Sequence, residues 1–182
     1  SEYGEPMILK PVDSQSSRGI FKINPADVDD VERLAPLTFK ESQKDYILVE
    51  AFFEGIELTV EGICSGGKHK TLAISHKKHF RTGIASDLIY PADLPSVIID
   101  AITAANDDYV ERSGLQFGIT HAEYLYNAGS GRFVLVEIAC RGGGTLISSD
   151  IAKWVSGVDI YAIQLGNLEG RVTDVKAIVP LK

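Results

Sequence analysis

The stretch that decides the fold is HAEYLYNAGSGRFVLVEIACR, residues 121–141. Apolar and aromatic residues typical of strands lie on both sides of a turn-forming run, NAGSG, at residues 127–131. Two strands joined by such a short turn form an antiparallel hairpin. A turn centred near Ser130 places Glu123 directly opposite Glu137, with both side chains on one face. The sequence therefore predicts a hairpin that carries two facing carboxylates.

Facing like charges destabilise a sheet, so this pair needs a cation, a shared proton or a basic partner. Arg141 lies two strand repeats beyond Glu137, on the same face of an extended strand, and the small Ala139 stands between them. Two carboxylates followed by an arginine suit a divalent metal ion that bridges phosphate oxygens, with the guanidinium stabilising negative charge. The alternative interpretation is a register slipped by one residue, which leaves one glutamate in solvent.

Hydrophobic periodicity predicts an α+β fold with a mostly antiparallel sheet and flanking helices. The pattern turns from helix to strands after Pro36. Strands are expected at residues 7–10, 20–23, 46–53, 57–64, 71–75, 119–126, 133–139 and 172–179, and helices at residues 26–35, 94–112, 145–155 and 159–168.

Composition excludes several classes of protein. The chain has 182 residues, of which 45% are hydrophobic and 24% charged, as in globular domains. Its 18 Lys and Arg against 25 Asp and Glu give a net charge of −7, which argues against broad nucleic-acid binding. No apolar run is long enough to span a membrane. Cys64 and Cys140 match neither a disulfide framework nor a zinc site, so a reducing, cytoplasmic location is expected.

Two polar segments are candidates for contact with a nucleotide. Lys10 ends an apolar strand just before a loop rich in Ser and Gly, whose N–H groups and hydroxyls are able to face phosphate oxygens. Glu50 follows an apolar run that turns at Gly55, so backbone groups there are able to meet an adenine edge and Glu57 a ribose. The alternatives are an ordinary solvated loop and solvated glutamates.

A run of residues 62–69, GICSGGKH, nearly spells a phosphate-binding P-loop. His69 replaces the Ser or Thr that the motif requires, and strand-like sequence flanks both sides instead of a strand and a helix. We therefore predict a hairpin turn. The basic residues from Lys68 to Arg81 are expected to form a solvated face, with contact between a phosphate and Lys77 or Lys78 as the alternative. They are Lys68, His69, Lys70, His76, Lys77, Lys78, His79 and Arg81.

In chain order, these segments together resemble the ATP-grasp superfamily, over nearly the whole chain. The Lys-Pro pair with its Ser-rich loop and the Glu-Ile-Ala-x-Arg string look most like the purine-biosynthesis carboxylase and formyl-transferring members. The segments that carry the resemblance are residues 8–11, the Ser/Gly loop, residues 48–53, 55–57, 121–123 and 136–141. The stretch from Ile138 to Asp159, with Arg141-Gly142-Gly143-Gly144 and Gly157-Val158-Asp159, is similar to the L-amino-acid ligases.

The resemblance implies ATP and Mg²⁺ (or Mn²⁺) as cofactors and a role for each matching residue. Arg141 would stabilise the transferred phosphoryl group, and Glu123 and Glu137 would bind the metal. Many members carry Asn where Ala139 stands, which weakens a biotin-carboxylase-like assignment more than it weakens metal binding. The remaining roles are phosphate contact by Lys10, a flexible loop over the phosphates formed by Ser14, Ser16, Ser17, Arg18 and Gly19, adenine contact by Glu50, Ala51 and Phe53, and ribose contact by Glu57.

The resemblance also implies a function and a division of the chain. The expected function is that of a carboxylate–amine ligase, which activates a small-molecule carboxylate as an acyl phosphate for attack by an amine. Nucleic-acid and membrane partners are not expected, and a homo-oligomer is compatible with the sequence. Alternatives are an ATP-binding module without catalysis, a carbamoyl-phosphate-synthase-like or biotin-carboxylase-like domain, and a plain structural domain.

The expected division is a partial nucleotide-lid subdomain at residues 1–49 and a C-terminal ATP-grasp subdomain, with the metal and adenine sites, at residues 50–182. The family's N-terminal domain, and a preceding strand with another ATP-contacting lysine, are not visible before Ser1. The sequence is therefore expected to be an excised domain or fragment.

Overall fold

The computed structural model describes residues 4–14, 17–27, 29–81 and 84–181. The chain divides into two compact units, Ser1–Phe53 and Glu54–Lys182. The predicted boundary after residue 49 falls inside a strand of the first unit, and the lid and C-terminal roles of the two parts stay predictions. Within the described residues, no helix combines the length and the apolar character needed to cross a bilayer.

The first unit is a small antiparallel sheet covered by one helix. Its elements are β1 (Met7–Pro11), β2 (Phe21–Ile23), a 3-10 turn (Pro25–Asp27), α1 (Asp30–Lys40) and β3 (Ile47–Ala51). The strand order is β2-β1-β3, and Leu9, Ile23 and Leu34 form the core because the apolar side chains of sheet and helix face each other.

The first predicted helix is wrong in its bounds. It was expected at residues 26–35, whereas α1 spans Asp30–Lys40 and contains Pro36. Proline removes one backbone hydrogen bond from a helix interior. The helix continues because Leu34 and Thr38 on its inner side are buried, and Thr38 Oγ1 donates a 2.9 Å hydrogen bond to the Gly19 carbonyl.

The second unit is built on a five-stranded sheet in which every neighbouring pair is antiparallel. This confirms the predicted α+β class with a mostly antiparallel sheet. The P-loop-like run is a hairpin turn, as predicted, with Gly66 and Gly67 at positive φ of 60° and 72°. The strands are β4 (Ile56–Ser65), β5 (Lys68–Arg81), β6 (Ile84–Ile89), β7 (Gly118–Asn127) and β8 (Arg132–Ala139). Their order in the sheet is β6-β5-β4-β7-β8.

The helical elements of this unit follow the predictions in part. The predicted helix at residues 145–155 begins as a π-helical segment, and the strand β6 was not predicted. The strand predicted at residues 172–179 is wrong, because Val175 turns inward as part of a 3-10 helix and is buried beside the sheet. The helical elements are α2 (Ser96–Arg112), the π-helical segment (Ile147–Ile151), α3 (Ala152–Ser156), α4 (Ile160–Leu168) and the 3-10 helix (Val175–Ala177).

The two faces of the larger sheet have different roles. Alternate strand residues, such as Leu58, Val60 and Tyr124, point to one face and pack with Ile102 of α2 in the main apolar core. The residues between them point to the opposite face. That face ends in a second apolar cluster, in which Ile63 packs with side chains of α3 and α4. The rest of it is polar and carries the candidate site, so we call it the polar face.

A buried histidine and an aspartate join β5 to α2. His69 is fully buried, which corrects the prediction of a solvated face. Its Nδ1 lies 2.8 Å from Asp107 Oδ1 and its Nε2 lies 2.8 Å from Thr120 Oγ1. Asp107 also accepts from the backbone N–H of Thr71 at 2.7 Å. Burial favours the protonated carboxyl, but hydrogen bonds from His69 and Thr71 outweigh it and lower the pKa of Asp107.

Asp107→Asn is expected to lower the free energy of unfolding at neutral pH by about 1–3 kcal/mol, because buried donors lose a charged acceptor. The folded-state pKa of Asp107 lies below its ordinary value of 3.8. Its stabilisation is therefore complete above that pH and is lost as the pH falls through the lower, folded value. Urea unfolding should show a wild-type advantage that shrinks under acid conditions.

Asp108→Asn is the matched control, since the neighbouring Asp108 is exposed and pairs with Arg112 on the helix surface. Exposed pairs of this spacing contribute about 0.3–0.5 kcal/mol. Equal losses of stability in the two variants at neutral pH would show that the buried pair does not stabilise the junction of β5 and α2.

Candidate functional site

The β7–β8 hairpin brings the two predicted carboxylates together. Glu123 pairs directly with Glu137 in the register of the two strands, so both side chains lie on the polar face. The turn is centred between Gly129 and Ser130, and a regular ladder from there would place Val136 opposite Glu123. A β-bulge at Val136 shifts the register by one residue and restores the pair. The predicted pairing is confirmed, although its cause includes a bulge that the sequence analysis missed.

The two carboxylates have different surroundings. Glu137 is exposed and, among the described residues, has no hydrogen bond or ion pair. Glu123 is half-buried and its Oε1 accepts from Lys77 Nζ at 2.6 Å. Burial raises the pKa of Glu123, but His121 and Lys77 outweigh it and hold the pKa at about 2. Glu123 is therefore an anion at neutral pH, as a metal ligand must be.

Lys77 connects two predicted site residues. Its ammonium donates to Glu57 as well as to Glu123, and Glu57 Oε2 lies 3.0 Å from His79 Nε2. Burial lowers the pKa of Lys77, but its bonds to Glu123 and Glu57 outweigh this effect and raise it. The neighbouring Lys78 is exposed. Of the two lysines that the sequence left as alternatives, Lys77 is therefore the one on the polar face.

A second carboxylate–cation pair lies deeper on this face. Glu61 is fully buried, pairs with His121 across β4 and β7, and accepts a short hydrogen bond from His121 Nδ1. His121 Nε2 lies 3.9 Å from Glu123 Oε1. Burial lowers the pKa of His121, but Glu123 and Glu61 outweigh it and raise it to about 9. The polar face therefore alternates negative and positive side chains from β5 to β7.

The loop after β8 carries Arg141 and returns to the buried pair. Arg141 is exposed and its Nη1 donates to the Gly142 carbonyl at 3.2 Å. The Gly143 N–H donates to Ser148 Oγ at 2.7 Å, and Ser148 Oγ donates to Glu61 Oε2 at 2.9 Å. One serine thus joins this loop to the centre of the sheet.

In the first unit, the predicted phosphate and adenine residues pair with each other. Lys10 Nζ lies 2.6 Å from Glu50 Oε2, because the antiparallel pairing of β1 and β3 brings them together. Ala51 pairs with Met7 and is exposed, and Phe53 is half-buried. Lys10 therefore has a carboxylate partner in the chain itself, and its predicted contact with a phosphate stays a prediction.

The predicted phosphate loop is held at both ends. Asp13 accepts from Ser42 Oγ at 2.7 Å, and the Gly19 carbonyl accepts from Thr38. Ser14 Oγ is shielded from solvent and lacks a hydrogen-bond partner within the described ranges. Ser17 and Arg18 are exposed, whereas Ser16 lies outside the described residues.

The structure thus brings Glu57, Glu123 and Glu137 to one face and pairs Lys10 with Glu50, each group within its own unit. No cluster of three or more His, Cys, Asp or Glu residues in the described part of the chain has the geometry to hold a metal ion. The sequence analysis missed Glu61 and Ser148. Alternation along β4 was a signal for Glu61, because Glu57, Thr59 and Glu61 share one face, whereas no local signal marked Ser148.

Comparisons with solved structures show the same fold in several enzymes. An L-amino acid ligase from Bacillus licheniformis superposes with a TM-score of 0.72 at 22% identity, covering 99% of this chain and 43% of that one. The biotin carboxylase domain of the Hydrogenobacter thermophilus 2-oxoglutarate carboxylase, in complex with MgADP and bicarbonate, gives 0.79 at 18%, covering 95% and 38%. The ADP complex of N5-carboxyaminoimidazole ribonucleotide synthetase gives 0.68 at 20%, covering 91% and 41%.

The chain therefore spans about two fifths of the length of these three enzymes. No curated protein sequence matches it. A family model described as an ATP-grasp domain matches residues 3–150, which is most of the chain and includes every predicted site residue. This match confirms the resemblance seen in the sequence: the chain belongs to the ATP-grasp family.

Proposed function

We propose that this chain is the nucleotide-binding part of an ATP-dependent ligase that joins a carboxylate to an amine. In the first step, a substrate carboxylate oxygen attacks the γ-phosphorus of ATP, ADP leaves, and an acyl phosphate forms. In the second step, an amine nitrogen attacks the acyl carbon, loses a proton, and inorganic phosphate leaves. The protein's task in such phosphoryl transfer is to position the reactants and to neutralise charge.

The observation that carries the proposal is the facing pair Glu123 and Glu137, with Arg141 on the loop that follows. A sheet gains no stability from two like charges placed directly opposite each other. The exposed Glu137 has no ion-pair partner in the described part of the chain, so a cation from solution is the partner that this arrangement suits.

The donor set fits Mg²⁺, and equally Mn²⁺. Hard divalent cations take oxygen ligands, and Mg²⁺ is usually held by one or two carboxylates together with substrate phosphates and water. Glu123 and Glu137 supply these two carboxylates, so the proposed site needs no third acidic side chain from the protein. A bound Mg²⁺ supplies positive charge at phosphate oxygens.

The other residues are assigned by their charge and exposure. Arg141 is exposed on its loop, and we propose that its guanidinium stabilises the transferred phosphoryl group. Lys77 neutralises Glu57 and Glu123. In the first unit, we propose that Lys10 and the loop from Ser14 to Gly19 contact phosphates.

Adenine contact by Glu50, Ala51 and Phe53 and ribose contact by Glu57 complete the proposed assignment. The substrates are small molecules with a carboxylate and an amine.

Cys64 and Cys140 are both free thiols, which supports a reducing compartment such as the cytoplasm.

Glu137→Gln is expected to lower the rate of Mg²⁺-dependent ADP formation by the protein that contains this chain about 100-fold or more. The physical reason is that the variant removes one of two charges that hold the cation without changing side-chain size. ADP release measured over a Mg²⁺ titration checks this. The control is Glu169→Gln, which alters an exposed glutamate paired with Arg171 after α4.

Unchanged turnover in Glu137→Gln would contradict the proposed metal site. ATP binding by the wild-type protein without ADP formation, measured by calorimetry, would instead support an ATP-binding module without catalysis.

Lys77→Ala is expected to make the thermal stability of this chain more dependent on Mg²⁺, in the absence of nucleotide. Its removal leaves the half-buried carboxylates of Glu57 and Glu123 without their shared ammonium, so a divalent cation gains affinity for the folded state. Lys78→Ala is the matched control, because Lys78 is exposed. Thermal unfolding with and without Mg²⁺ measures the difference, and equal Mg²⁺ responses in both variants would contradict this role of Lys77.

A further inference from the structure

We propose that Ser148, held by the buried Glu61 carboxylate, is a positioning residue that fixes the loop carrying Arg141. Residues 141–144, Arg-Gly-Gly-Gly, are called the arginine loop here. The inference rests on the proposed function for the role of Arg141, whereas the attachment of the loop to Ser148 stands on the contacts alone.

The connection from sheet to loop runs through a single hydroxyl. Ser148 is 1% exposed and Glu61 is fully buried. Ser148 Oγ donates to Glu61 Oε2 at 2.9 Å and accepts from the Gly143 N–H at 2.7 Å. His121 Nδ1 occupies the other oxygen of Glu61. A buried carboxylate must keep such partners, so the position of Ser148 is determined by the sheet.

The glycines of the loop show how closely it approaches this pair. A Cβ atom at Gly142 would lie 2.6 Å from Ser148 Oγ, and one at Gly143 would lie 2.8 Å from His121 Nδ1 and 3.0 Å from Glu61 Oε1. A Cβ atom at Gly144 would meet nothing within 4 Å. The arginine loop is therefore packed against the buried pair at its middle and is open at its end.

The backbone after the loop needs such an anchor. Thr145 and Leu146 have positive φ values of 54° and 62°, in the left-handed region that non-glycine residues rarely adopt. The π-helical segment Ile147–Ile151 follows directly and contains Ser148. π-Helical turns are frequent at functional sites, where they aim one side chain that a regular helix would place elsewhere.

Two hydrogen bonds connect Ser148 to Arg141 through one peptide unit of the loop. The guanidinium donates to the Gly142 carbonyl, and the N–H of the same peptide unit, which is that of Gly143, donates to Ser148 Oγ. A shift of this peptide therefore moves the group to which the guanidinium is attached. Loss of the serine hydroxyl should therefore impair the positioning of Arg141 for phosphoryl transfer more than it lowers the affinity for nucleotide.

The test compares Ser148→Ala with Ser156→Ala. Ser156 is a matched control because it is 2% exposed, donates to the Ala152 carbonyl at 2.6 Å and accepts from the Val158 N–H at 3.1 Å. Amide hydrogen exchange at Gly143, followed by NMR on this chain, should accelerate about tenfold or more in Ser148→Ala, as expected for one lost hydrogen bond, and stay unchanged in Ser156→Ala.

The second arm uses the protein that contains this chain. Affinity for MgADP with aluminium fluoride, a mimic of the transferring phosphoryl group, should fall about tenfold in Ser148→Ala, while affinity for MgATP changes less than about twofold. Gly143→Ala should behave like Ser148→Ala, and Gly144→Ala should behave like the wild type. A merely structural role would lower both affinities together or neither.

Unchanged exchange at Gly143 in Ser148→Ala would overturn the attachment of the loop, and equal losses of affinity for the two ligands would overturn the positioning of Arg141. A wild-type protein that binds neither ligand would contradict the proposed function, and with it the role of Arg141. The exchange measurement needs no nucleotide and still decides whether Ser148 holds the loop.

Discussion

Charge neutralisation across the polar face is the constraint on which the candidate site depends. Glu57, Glu61 and Glu123 stand on neighbouring strands, and Lys77 and His121 lie among them at ion-pair distances. Partly buried carboxylates are tolerated in a sheet when cations or donors meet them, and each of these three has such a partner. Glu137 is the acidic side chain opposite Glu123 that this pattern leaves to solvent.

The opposite face of the same sheet supplies the rigidity that such a site needs. Leu58, Val60 and Tyr124 pack with Ile102 of α2, and none of these side chains is appreciably exposed. A site built on strands whose reverse face is close-packed keeps its side chains in register more precisely than one built on loops. The apolar cluster around Ile63 closes the far end of the polar face, so Glu61 and His121 lie at the border between the apolar cover and the open part.

Several elements of the fold and several residues of the candidate site could be predicted from the local sequence pattern. The hairpin, the strand pairs and the long helix α2 follow from periodicity and turn residues. Hairpin spacing singled out the acidic residues and Arg141, and the resemblance to the family suggested the roles that stay predictions. The approximate pairing of Glu123 with Glu137 was also predictable, but the bulge at Val136 was not. A bulge depends on how a strand fits its partner strand and the packing around it, which local residue order does not show. The strand expected at residues 172–179 failed because Val175 is buried against the sheet rather than paired at its edge.

Local residue order was sufficient for the antiparallel hairpin and for the arginine after it, whereas the exact pairing of the two acids also needed the bulge at Val136. Contacts between distant parts of the chain decided the rest. Which of two adjacent lysines meets Glu57 depends on the register of β5 with β4, and Ser148 reaches Glu61 only after the chain has crossed the sheet and returned. Side-chain alternation is a property of one strand, whereas a hydrogen bond across 87 positions of sequence exists only in the folded molecule.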